Sequence, residues 1–145
     1  MIISFTKISN SNHKLEVTRS DKSGEAVILD TQTYMLHDIC HFFVEKELDT
    51  SNGFWGMLSQ GYELKELAGK TNPLTKNLRK IECIVGATQS VYSKNMTSED
   101  FKNYIQTVDE ISIEASFLEK VIPKIDEFML KWKYAEVPAS IHLEF

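Results

Sequence analysis

The C-terminal stretch Val137-Pro-Ala-Ser-Ile-His-Leu-Glu-Phe145 constrains the fold more than any other part of the chain. Ile141, Leu143 and Phe145 alternate with His142 and Glu144, the two-residue period of a half-buried strand. A lone strand leaves a row of backbone donors and acceptors unpaired, so it needs a sheet to join. Strand patterns recur only at the opposite end. Ile2 to Ile8 is β-branched and partly alternating, His13 to Arg19 sets Leu15 and Val17 on one face, and Glu25 to Leu29 returns after the hairpin signal Asp21-Lys-Ser-Gly24. Ser9-Asn-Ser-Asn12 is a turn cluster. These patterns predict a three-stranded antiparallel meander that the strand at 139–145 completes, so that the two ends of the chain meet.

Between the ends the period changes to that of helices. The patterns place helices over about 34–48, with Thr33 as N-cap, over 54–67, over 74–92, from Thr97 to about 107, and over 111–132. Pro123 predicts a kink or break of the last near 119–122. The expected class is α+β: a small antiparallel sheet from the N-terminal strands plus a C-terminal strand, packed against a central segment of about four to five helices. Residues 1–145 read as a single α+β domain. Ile39, Phe43, Leu118, Val121, Ile125 and Phe128 are its expected core. Gly56 and Gly61 each cost the second helical pattern about 1 kcal/mol, which together with Gly53 suggests a close approach to another backbone or a ligand.

Composition bounds the function. A net charge of -5, with no basic block, argues against nucleic acid as a partner. No apolar run is long enough to span a membrane, and Met1-Ile-Ile-Ser-Phe5 lacks the features of a signal peptide, so a cytoplasmic location is the expectation. Cys40 and Cys83 lie in apolar helical patterns without zinc-finger spacing and read as buried free thiols. Gly69-Lys70-Thr71 lacks the upstream glycine of a phosphate loop.

One segment carries chemistry. In Met35-Leu-His-Asp-Ile-Cys-His-Phe-Phe-Val-Glu45, helical spacing sets His37, His41 and Glu45 on one face beside Asp38. The apolar residues of this helix sweep well over half its circumference, so its polar sector faces either water or a site. As a wet face it would pair Glu45 with the imidazoles. As a site, His37, His41 and Glu45 would bind a divalent metal such as zinc, with Asp38 orienting His41 and with His142, Glu144 or Glu63 as a further ligand.

The block His37-Asp-x-x-His41-x-x-Val44-Glu45, followed by Gly53-Phe-Trp-Gly56, resembles a block in small uncharacterised bacterial proteins. There an N-terminal stranded segment leads into the histidine helix. That resemblance implies the domain layout and no known activity. His37-Asp38-x-x-His41 is also similar to the metal motif of ubiquinone-biosynthesis zinc proteins, but Gly53 stands where their next ligand, a glutamate, would be.

Three functions follow from these readings. One is a small-molecule-binding module, with a pocket near the His37–Glu45 helix and the Gly53–Gly61 helix. A second is a metal-dependent enzyme, hydrolytic in character, centred on His37 and His41. The third is an interaction or structural protein using the terminal strand or an apolar rim around Trp55, with a homo-oligomer left open.

Overall fold

The computed structural model describes residues 1–68, 76–108 and 113–145. The loop expected after Ala68 and the expected helix start at 74 lie outside the described residues; the helix expected from 111 begins at Phe117, and the described residues 113–116 before it are not helical. Strands β1 (Ile2–Lys7), β2 (Asn12–Thr18) and β3 (Gly24–Asp30) form the antiparallel meander, and β4 (Ala139–Glu144) pairs antiparallel with β1. The strand order is β3-β2-β1-β4. The chain ends meet as expected: the Met1 ammonium donates to the Phe145 carbonyl at 2.7 Å, and the Phe145 N–H donates to the Met1 carbonyl at 2.9 Å.

The pleat gives the sheet two unlike faces. Ile3, Phe5 and Lys7 of β1 and His13, Leu15 and Val17 of β2 point into the protein and are buried. Six helical segments are present among the described residues: α1 (Thr31–Glu47), α2 (Phe54–Ser59), α3 (Leu64–Ala68), α4 (Lys76–Tyr92), α5 (Ser98–Ile105) and α6 (Phe117–Tyr134). Lys7 is buried because its ammonium donates to the Trp132 and Ala135 carbonyls, closing the C-terminal end of α6 onto the sheet.

Three other features differ from the sequence reading, each for a local reason. Asp30 rather than Thr33 caps α1, since its Oδ1 accepts the Thr33 N–H at 2.8 Å and the Thr33 hydroxyl at 2.6 Å. The pattern over 54–67 divides into α2 and α3 because the chain turns at Gly61, whose φ of 102° lies in the region that favours glycine. The last helix runs unbroken through Pro123. The missing proline N–H leaves only the Glu119 carbonyl without its helical donor, and Glu119 is exposed, so water can take that place. Thr97 and Asp100 form the capping box expected for α5.

Of the expected core, Ile39, Val121, Ile125 and Phe128 are buried. Phe43 and Leu118 are half-buried against it. Phe42 takes the inward position on α1 and packs edge-on against the Phe145 ring. No described helix is long and apolar enough to cross a membrane.

Candidate functional site

The polar stripe of α1 does not face water. His41 and Glu45 are 2% and 0% exposed, Asp38 is 8% exposed, and only His37 is half-buried. The stripe turns toward α4 and the start of α2. Burial of so many polar groups requires partners, and the partners come from both helices.

Glu45 reaches across to α2. Its carboxylate accepts the backbone N–H of Trp55 at 3.3 Å and of Gly56 at 3.0 Å, satisfying donors that a helix N-terminus leaves unpaired. The same carboxylate accepts Nδ1–H of His41 at 3.0 Å. Two glycines make this approach feasible. A Cβ on Gly53 would land on the Glu45 carboxylate, and one on Gly56 would meet the Ser51 backbone at 2.5 Å. The Trp55 indole N–H donates to the Asp38 carbonyl at 3.1 Å. Trp55 is thus fully buried and is not itself part of an exposed rim.

The outer side of the His41 ring meets α4. Its Nε2 lies 3.2 Å from Oε1 of Glu82, and Nε2 of His37 lies 3.7 Å from Oε2 of the same residue. His37 turns Nδ1 to the amide oxygen of Gln89 at 3.1 Å. The two imidazoles pack edge to face, with ring centroids 4.7 Å apart. The converging trio is therefore His37, His41 and Glu82. Glu45 binds the other nitrogen of His41, the orienting position the sequence reading gave to Asp38.

Asp38 lines the adjoining cavity, and its Oδ2 is buried without a hydrogen-bond partner. Burial, reinforced by the Glu82 charge and opposed by His41, pushes the Asp38 carboxyl up to about 7. Burial works against a charged His41, but hydrogen bonds to Glu45 and Glu82 and the charge of both outweigh it and push its pKa up to about 9. Burial and the neighbouring His41 hold His37 below its ordinary value. Glu82 is raised by burial, yet its hydrogen bond and charge pairing with His41 bring it below the ordinary value overall.

The ligands expected from elsewhere do not reach the cluster. His142 lies opposite Ser4 on the outer face of the sheet and bonds its hydroxyl at 2.8 Å; Glu144, two residues on, shares that face. Glu63 is paired with Lys65 at the surface.

A cavity of about 610 Å³ opens beside the cluster, bounded by β3, α1, Phe54 and α3. Val27 lies opposite Leu15 in the β2–β3 register and so faces inward with it. Leu15 is 1% exposed, whereas Val27 is 36% exposed, because the space above it is the cavity. Leu29, Tyr34, Leu64 and Leu67 extend this apolar wall. Arg19 ties the far wall down: it pairs with Glu25 and donates to the Leu58 and Tyr62 carbonyls, while Glu25 accepts the Leu64 N–H at 2.9 Å.

No family model matches this chain, nor does any curated protein or solved structure.

Sequence reasoning missed Glu82 and Gln89. A signal existed: Glu82 stands four residues after Leu78 and three before Val85, both core positions of α4, and Gln89 follows two turns later on the same face.

Proposed function

We propose that this chain binds a small, largely apolar molecule in the cavity between β3, α1 and α3, with one polar group of that molecule set against His37 and Glu82. The observation that carries this reading is the open inner face of β3. Among the described residues Val27 is left open to the cavity, apolar surface of a kind that a folded protein ordinarily buries. The shape agrees with small-molecule sites, which are mostly apolar with a few converging polar groups and span about 300–1,000 Å³.

The test is binding of a neutral apolar dye, N-phenyl-1-naphthylamine, followed by its fluorescence. Saturable binding is expected, and Val27→Trp, which places an indole in the cavity, should weaken it at least about tenfold, roughly 1.4 kcal/mol. Equal dye affinity in wild type and Val27→Trp, with both folded, would refute the reading. Displacement of the dye by carboxylic acids, alcohols and amines of graded chain length then ranks the polar group the inner end prefers.

A further inference from the structure

The two imidazoles are held in the same tautomer by different neighbours. Glu45 can only accept, so Nδ1 of His41 carries the hydrogen that lies between them. The amide oxygen of Gln89 likewise fixes the hydrogen of His37 on Nδ1. In their neutral forms both rings therefore present Nε2 as a lone pair. Those two lone pairs and the Glu82 carboxylate, itself an acceptor, lie within 4.8 Å of one another. Acceptors gathered in this way are satisfied by a cation among them, a proton on His41 or a metal ion in its place. Two of the separations, 3.2 Å to Oε1 and 3.7 Å to Oε2 of Glu82, lie near the roughly 3.3–3.4 Å between ligand atoms of a tetrahedral ion with bonds of about 2.0–2.1 Å, and small side-chain shifts would close the trio on one ion.

The surroundings match the pattern of a metal site. A buried carboxylate behind a ligating histidine fixes the tautomer and ring angle of that ligand. Glu45 does this for His41 while anchored by two backbone N–H groups, and Gln89 does it for His37. A separate observation comes from Asp38, a residue of the cavity wall beside the cluster, whose buried Oδ2 has no donor to bond it. A water or hydroxyl bound to an ion at the cluster would supply such a donor.

We propose that His37, His41 and Glu82 hold one divalent transition-metal ion, with Glu45 and Gln89 orienting the rings and an open coordination position facing the cavity. Two imidazoles and a carboxylate are the donors that zinc and its first-row neighbours accept while keeping a position free. The proton that His41 shares with Glu82 in the metal-free chain is the species the ion displaces. Resting here on the cavity reading, the molecule bound in the cavity would carry an oxygen donor, a carboxylate or a carbonyl, to complete the coordination.

The experiment uses the full chain without a polyhistidine tag, stripped with a chelator and titrated with Zn²⁺ and, separately, Co²⁺. One equivalent of each is expected, and Co²⁺ should give the visible absorption of a four- or five-coordinate ion. His37→Ala and Glu82→Gln alter partly exposed positions, so both should stay folded, which a urea midpoint verifies. Each should weaken Zn²⁺ by more than the roughly 10–100-fold typical of losing an orienting partner, and Gln89→Leu should fall within that range. Absence of saturable binding to the wild type, or unchanged affinity in His37→Ala and Glu82→Gln, would overturn the proposal. The two readings separate cleanly. Zn²⁺ bound without dye binding retains the metal site and removes the cavity reading, while dye bound without Zn²⁺ removes the metal site alone. Val27→Trp should lose the dye and keep the Zn²⁺ titration.

Discussion

Replacing Glu45 should expose how tightly α1 and α2 are joined. Its carboxylate satisfies three buried donors: Nδ1–H of His41 and the backbone N–H groups of Trp55 and Gly56. A buried donor left without a partner costs about 1–3 kcal/mol. Three of them would cost about 3–9 kcal/mol if independent, and water entering the space of the lost side chain should hold Glu45→Ala to about 3–6 kcal/mol. Glu45→Gln keeps one acceptor oxygen and should cost about half as much. The sharper measurement is a double-mutant cycle with Gly53. Its backbone, at φ -89° and ψ -173°, is one that any residue adopts, and the nearest obstacle to alanine there is the Glu45 carboxylate. Gly53→Ala should therefore cost about 2 kcal/mol or more in the wild type, by pushing that carboxylate off its donors, and much less once Glu45 is alanine. Urea unfolding of the four proteins gives the coupling directly, and contacting residues show coupling of about 0.5–3 kcal/mol. The reasoning fails if Gly53→Ala costs the same in both backgrounds, or if Glu45→Ala lies within about 1 kcal/mol of wild type.

Three further outcomes are expected. Phe42→Ala should cost about 3–5 kcal/mol and Phe43→Ala distinctly less, because the first ring is buried and the second only half-buried; equal urea midpoints would contradict this register of α1. Burial holds the His13 imidazole below its ordinary pKa, against the pull of Asp30, so the unfolded chain takes up this proton more readily than the folded one. Stability should fall as the pH drops below about 6.5, and urea midpoints between pH 8 and pH 5 should show a shallower fall for His13→Leu. Burial pushes the Cys40 thiol up to about 12, so alkylation of the native chain at pH 8, read by mass spectrometry, should modify half-buried Cys83 and spare Cys40; prompt labelling of Cys40 would contradict its burial.

The readable parts of this chain were those decided locally. Alternation in Ile141, Leu143 and Phe145 and in Leu15 and Val17 is a two-residue pattern, and it located the strands and their shared sheet. Helical spacing likewise brought His37 and His41 together. Glu82 was beyond that reach, since its place depends on how α4 is rotated against α1, which no spacing within either helix sets. The function of Glu45 was hidden for a similar reason. Its partners are backbone N–H groups ten and eleven residues on, and their direction follows from the turn at 48–53 rather than from side-chain type. Gly53 and Gly56 did mark the close approach, and the structure supplies its partners, a carboxylate and the Ser51 backbone.

The position of β1 inside the sheet governs when the sheet can close. On one side Ile3 pairs with Val17, 14 residues away; on the other it pairs with Leu143, 140 residues away. Loop closure over a tenfold longer span costs about 2 kcal/mol more in chain entropy, by the (3/2)RT ln n rule. While the chain is being synthesised, the β1–β2–β3 meander can form early, but the second edge of β1 waits for residues 139–144. During that interval the strand destined for the interior of the sheet is an edge strand, with an apolar face and a free row of backbone groups. Such an edge accepts strands from other chains. The vulnerable period of this protein is thus the interval before its last strand arrives.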